Sequence, residues 1–150
     1  MTMALGTCVD LIVAKGTKFS IGSTVLGGGG LAYTEVGMIE SFSEFGPDAS
    51  VGSFTPIGTG IAGKYLGTTD NGELTLTIAK TTTDSGLTAL IAASKSNSPL
   101  AYQLVLSDTG ADTYTFNGIC RSVRVNVGSG DDVVKITCAI ALTGALTETP

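Results

Sequence analysis

Histidine and tryptophan are both absent from this chain of 150 residues. Without imidazole, no side chain has an unperturbed pKa near neutrality, and neither a Ser-His-Asp nor a Cys-His arrangement can form. Charge is scarce as well: 14% of the residues are charged, against roughly 25% in ordinary soluble domains. The 8 basic residues are scattered and the net charge is −5, so no basic patch exists to grip nucleic acid through its phosphates. Mean hydropathy is positive at +0.37, yet no apolar run approaches the ~18 residues of a membrane-spanning helix. The first residues, "MTMALGTCVDLIVAKG", have no basic start and no clear cleavage site, which argues against a signal peptide. Leu11, Ile12 and Val13 read instead as a buried strand or docking arm. The 3 cysteines, Cys8, Cys120 and Cys138, are odd in number and lack metal-ligand spacing. In a reducing compartment Cys120 and Cys138 read as small buried hydrophobes, with a disulfide between them as the alternative.

Glycine is abundant: 21 of the 150 residues, about twice the usual ~7%. The length suits one domain with a single core. A chain this apolar and charge-poor would expose too much apolar surface as a lone monomer, so copies of itself are expected to cover much of it. The alternative is a Gly/Thr-rich β domain with a neutral surface.

Short alternating stretches dominate the pattern. "TKFSIG" places Phe19 and Ile21 on one face. "STVLGGGGLAY" reads as a hairpin tip. "TEVGMIESFSEF" continues as a strand over Thr34 to Phe45, with Gly37 as a bulge or bend. "ELTLTIA" is the cleanest strand, with Leu74, Leu76 and Ile78 pointing one way. One helix is predicted over 84–96, with Asp84 as N-cap and Leu87, Leu90 and Ile91 as a buried stripe. "LAYQLVLSD" is a strand from Leu100, and "TYTFNG" with "CRSVRVNV" forms a strand pair or one bent strand. "VVKITCAIALTG" is a long last strand with Val134, Ile136, Cys138, Ile140 and Leu142 on one face. The fold class is therefore mainly β: a β-sandwich or barrel of about seven or eight strands with one flanking α-helix. The stretch 46–72 has no regular pattern and reads as a long loop, a length that in a compact domain is usually functional.

Within that loop "GTGIAGKY", Gly58 to Tyr65, matches both G-x-G-x-x-G and the start of a P-loop. A phosphate cradle needs a strand before it, a helix after it and a Ser/Thr beside the lysine. Here Pro56 interrupts what precedes, Tyr65 replaces the Ser/Thr, and Gly67 with Asn71-Gly72 disfavours a following helix. The glycines read as conformational freedom. "GSGDD" at Gly128 to Asp132 reads as turn chemistry and lacks the alternating ligands of a calcium loop. Glu35, Glu40 and Glu44 read as a solvated acidic stripe, and Arg121 and Arg124 as facing opposite sides of a strand. No catalytic, cofactor-binding or metal-binding residues are expected, and the chain is expected not to be an enzyme.

The order of elements carries a resemblance. The strand Leu74 to Ile78 leads to the helix Leu87 to Ile91, then to the "Y-x-(apolar)-x-(apolar)" strand Tyr102 to Leu106. The "F-x-G" strand Phe116 to Gly118 and the last strand Val134 to Gly144 follow, and "E-V-G" lies in the early segment Tyr33 to Ser43. This resembles the tail tube (major tail) proteins of long-tailed phages, related to gene-transfer-agent and type VI secretion tube proteins, over about four-fifths of the chain. The resemblance implies a single tail-tube-like domain over 1–150, with an N-terminal arm (1–16) and an assembly loop (46–72). It implies a structural virion protein that assembles into stacked hexameric rings, the conduit for DNA ejection. A tail terminator or tail-tip ring protein is the alternative, followed by a ligand-binding β-barrel in the cytosol. Implied partners are further copies of itself and tape-measure, terminator and tail-tip proteins, with DNA passing through the lumen unbound and no membrane insertion. The implied location is the virion tail, assembled in the bacterial host cytoplasm. Ile57, Ile61, Lys64, Tyr65 and Leu66 are the expected inter-subunit residues of the loop. Glu35, Glu40, Glu44 and Glu73 are the expected lumen carboxylates, on the argument that an anionic wall repels phosphates.

Overall fold

A computed structural model describes residues 14–107 and 110–149. Most of the expected N-terminal arm, with Cys8 and Leu11 to Val13, lies outside the described residues. The elements run β1 (Lys18–Gly22), β2 (Tyr33–Val36), β3 (Ile39–Phe42), β4 (Asp48–Phe54), β5 (Gly63–Asp70), β6 (Glu73–Ala79), α1 (Ser85–Ser96), β7 (Leu100–Val105), β8 (Thr113–Asn126) and β9 (Lys135–Thr149). Seven strands form one antiparallel sheet in the order β2-β1-β7-β8-β9-β6-β3, and β4 and β5 pair with each other apart from it.

The sheet follows from period-two burial. On β6, Leu74, Leu76 and Ile78 are buried while the residues between them are half-exposed. β1 contributes Phe19 and Ile21; β9 contributes Ile136, Cys138, Ile140 and Leu142. Tyr102 is stacked between Phe19 and Phe116, each ring centroid 5.7 Å away. The helix begins where Asp84 Oδ1 accepts from the Leu87 amide at 3.2 Å, and ends at Asn97 in the left-handed conformation. Its Leu87, Leu90 and Ala93 join the same core, with Ile91 only partly buried against it. Cys120 and Cys138 are free and buried, as their small apolar character suggests. Burial pushes the Cys138 thiol up to about 12, with the neighbouring Cys120 adding to the shift.

β2 and β3 occupy opposite ends of the strand order, yet only Gly37 and Met38 separate them. Three chain steps reach at most ~11 Å, so the sheet curls until its two edges come together, without hydrogen bonds across that seam. The expected unbroken strand over Thr34 to Phe45 is thereby corrected. Met38 sits at φ 58, an uncommon conformation for a residue with a side chain, and the chain changes pairing partner there. The poor alternation of the segment has this corner as its cause.

Two further expectations are revised, and one open alternative is resolved. The stretch 46–72 is not a structureless loop: it is a β-hairpin, β4 and β5, joined by an ordered tip. Every residue of β5 is exposed, so no burial period marks it as a strand. "TYTFNG" and "CRSVRVNV" form one strand, β8, whose register against β9 shifts between Cys120 and Ser122. The last strand does not stop at Gly144. That residue, at φ 79, lies at a second register shift, and β9 continues to Thr149 opposite Thr113.

Candidate assembly surface

The hairpin β4–β5 stands out from the body as an arm. Among the described residues its strands pack on each other and make at most marginal contact with any other element. The base is fixed by the Gly46 amide donating to Asn71 O at 3.1 Å and by the Asn71 side-chain amide donating to Gly144 O. Register places Val51 opposite Leu66 and Ser53 opposite Lys64 on one face, with Gly52 opposite Tyr65 and Phe54 opposite Gly63 on the other. The Tyr65 ring lies on Gly52, where an added Cβ would be 2.3 Å from its Cζ. At the tip the Gly60 amide donates to Pro56 O at 2.9 Å, with Gly60 at φ 65.

Val51, Phe54, Ile57, Ile61, Tyr65 and Leu66 are all exposed, Ile57 completely. Apolar side chains thus emerge from both faces and the tip of a two-stranded ribbon, a unit that is at best marginally stable alone in water. Ile57, Ile61, Lys64, Tyr65 and Leu66, expected from the sequence to face another subunit, come together on this arm. Val51 and Phe54 were missed. Their signal was an apolar residue every third position in a segment without alternation. The glycines of "GTGIAGKY" lie at the tip and at the start of β5, and a strand follows them where a phosphate cradle needs a helix.

A second exposed apolar group occupies the other end of the body. Val125 lies at the end of β8 and Val127 just beyond it, Val133 precedes β9, and Met38 lies at the β2–β3 corner; all four are exposed. The Ala79 amide donates to Met38 O, and Ala79 is opposite Lys135, which is opposite Asn126. These residues therefore gather at the Ala79 end of β6, whereas the arm is rooted beside Glu73. Seven residues of strand put about 20 Å between the two ends. The turn between β8 and β9 is held by Asp132, whose Oδ2 accepts from the Ser129 amide and hydroxyl, both at 2.9 Å. Those bonds hold the Asp132 carboxyl below the usual range. Asp131 beside it is exposed.

The four candidate lumen carboxylates do not form one stripe. Glu73 receives a two-pronged ion pair from Arg121, 2.6 Å to Oε2 and 2.8 Å to Oε1, which holds its carboxyl below the usual range. Glu40 is met by Lys135 at 2.9 Å. Glu44 lines the shallow hollow at the root of the arm together with Glu73. Glu35 lies across the corner on β2, near the start of the helix. The stripe expected of Glu35, Glu40 and Glu44 is broken because the corner at Met38 divides their segment. Arg121 and Arg124 were expected on opposite faces. The register shift between Cys120 and Ser122 adds a residue, so both lie on the face away from the core, as Val123 opposite Cys138 requires. No local signal announced the Glu73–Arg121 pair, whose members are 48 residues apart.

That outward face of β8, β9, β6 and β3 is small and polar. It carries Thr75, Thr77, Thr137 and Ala141 around the two ion pairs. Among the described residues no group of His, Cys, Asp or Glu could hold a metal ion, and no helix is long and apolar enough to cross a membrane.

No family model matches the chain, and no curated protein matches it. Solved structures do. The PVC sheath/tube terminator of an extracellular contractile injection system superposes with a TM-score of 0.71 at 13% identity, covering 98% of this chain and 100% of that one. The tail of an empty GTA particle gives 0.64 at 14% identity, over 88% of this chain and 96% of that one. The SPP1 tail tube gives 0.61 at 14% identity, over 92% of this chain and 78% of that one. These superpositions place this chain in the fold shared by tail-tube and tube-terminator proteins of phage-like particles.

Proposed function

We propose that this chain is a non-enzymatic structural subunit of a phage-like tail, and within it the tube subunit. Copies join into six-membered rings that stack into a conduit for DNA, inside a virion tail assembled in the bacterial host cytoplasm. The observation that carries this reading is the arm: an ordered hairpin, apolar on both faces, that no other element among the described residues covers. Such a surface is stable in water only when other molecules cover it. The outward face of β8, β9, β6 and β3 suits a lumen wall. Its threonines and alanines offer no grip on bases, and two of its three basic side chains, Arg121 and Lys135, are held by Glu73 and Glu40, leaving Arg124 as the one cation outside an ion pair among the described residues of that face. Glu73 and Glu40 then act within ion pairs, and Glu44 is offset in charge by Arg124, so the wall is close to neutral rather than anionic. Tape-measure, terminator and tail-tip proteins are the expected partners at the tube's ends.

Negative-stain microscopy of the purified protein at rising concentration tests this. Tubes of indefinite length are the expected result, and a protein that stays monomeric overturns it. A second reading, a terminator ring that caps a tube, is favoured by the full-length superposition on the PVC sheath/tube terminator. It predicts single rings that never stack. A ligand-binding barrel has no support in the geometry, because the glycine tip projects from the body and has no wall around it to hold a ligand.

A further inference from the structure

Asparagine followed by glycine occurs twice, at Asn71-Gly72 and at Asn117-Gly118. In such a pair the glycine nitrogen can attack the asparagine side-chain carbonyl carbon, because glycine has no Cβ to block the approach. Ring closure needs the Asn-Gly link to leave the extended conformation. The fold gives the two pairs opposite surroundings. Gly118 is buried within β8, opposite Leu100 on one side and Leu142 on the other. An added Cβ there would lie 2.6 Å from Ile140 Cγ2, so this link is packed too closely to swing out of the strand. Asn117 Oδ1 is also held by the Leu26 amide at 2.8 Å. Gly72 is exposed in the turn between β5 and β6 at φ 79, and an added Cβ would meet nothing nearer than Gly46 O at 3.9 Å. Its N–H donates to Asp70 Oδ1 at 3.0 Å, within reach for a carboxylate that takes up that proton.

We propose that Asn71 is a site of spontaneous deamidation, with water as the co-reactant, and that the reaction unlatches the arm. Gly72 N attacks Asn71 Cγ, and the new N–Cγ bond forms as Asp70 accepts the amide proton. The Cγ–Nδ2 bond breaks, and that nitrogen leaves as ammonia carrying the same proton. Water then breaks one of the two C–N bonds of the cyclic imide, leaving aspartate or iso-aspartate at this position. The side-chain amide that donates to Gly144 O is then gone, and a carboxylate has no proton to donate in its place. The new charge joins Glu44, Asp48 and Glu73 around the hollow at the arm's root, where like charges repel. The arm's fixed direction therefore has a lifetime set by the chain's own chemistry. The reaction needs one chain only, whether or not copies form a tube.

Peptide mapping by mass spectrometry tests the chemistry, on the full chain kept dilute in neutral buffer for weeks. In the folded chain Asn71 is expected to convert about tenfold or more faster than Asn117; in urea, where no fold separates them, the two are expected to convert alike. Equal rates in the folded chain, or an intact Asn71 when the urea sample has converted, overturn the assignment. Hydrogen exchange tests the unlatching, read at the Gly46 amide that donates to Asn71 O. In Asn71→Asp, and in the converted wild-type fraction isolated by anion exchange, this amide is expected to exchange about tenfold faster than in fresh protein, with the amides of β6 and β9 unchanged. The converted fraction carries the test where Asn71→Asp does not fold. Unchanged exchange at Gly46 in that fraction, or an equal loss of protection across β6 and β9, overturns the unlatching.

Discussion

Among the described residues Tyr102 is the largest fully buried side chain, and its buried hydroxyl has no hydrogen-bond partner there. An unsatisfied buried polar group costs ~1–3 kcal/mol. Tyr102→Phe is therefore expected to leave stability unchanged or raise it by about 1 kcal/mol in urea denaturation. A clear loss would show that the hydroxyl has a partner. Gly86 carries the opposite lesson. Alanine is ordinarily the better helix residue by ~1 kcal/mol, but here an added Cβ would lie 2.3 Å from Glu35 O and 2.7 Å from Val36 Cα. The helix rests on the backbone of β2 through this glycine. Gly86→Ala is expected to destabilise by ~2 kcal/mol, the scale of an overpacked core, measured by the same denaturation. A gain in stability would mean that the contact relaxes freely.

At the level of elements, the arm is separable from the fold. Its strands pack only on each other, so deleting Gly58 to Gly63 is expected to leave the melting temperature of the monomer within about 2 °C and to abolish tube growth. Unimpaired growth by the deletion variant would refute the arm's role. The same separateness explains what the sequence could reveal. β6 and α1 were legible because one face of each is buried, so Leu74, Leu76 and Ile78, or Leu87 and Leu90, repeat at the period of the element. β5 was not legible because nothing in its own chain covers either face, and a strand without burial has no period. The corner at Met38 and the shifts at Arg121 and Gly144 were hidden for another reason. Each depends on which strand lies alongside, a fact decided far away in sequence. The candidate site was half legible: Ile57, Ile61, Tyr65 and Leu66 showed as hydrophobes without a core partner, while Val51 and Phe54 of the same arm did not. The valines of the opposite patch looked like an ordinary strand end.

For the whole molecule, burial sets the response to pH. Cys138, Cys120 and Tyr102 all have their pKa raised, desolvation being the largest cause in each case. The folded chain holds these protons more tightly than the unfolded chain. Their contribution is therefore fully present below the unfolded thiol value of 9.0 and is lost as pH rises toward about 12. The urea midpoint is expected to fall between about pH 8 and about pH 10.5, and a flat profile would contradict the burial of this cluster.

The separation of arm and valine residues by the length of β6 has one more consequence. The two ends of the body are chemically unlike, so if copies stack in one sense, as the proposed tube requires, the two ends of the stack expose different surfaces. A protein shaped to cap one of those ends would not fit the other.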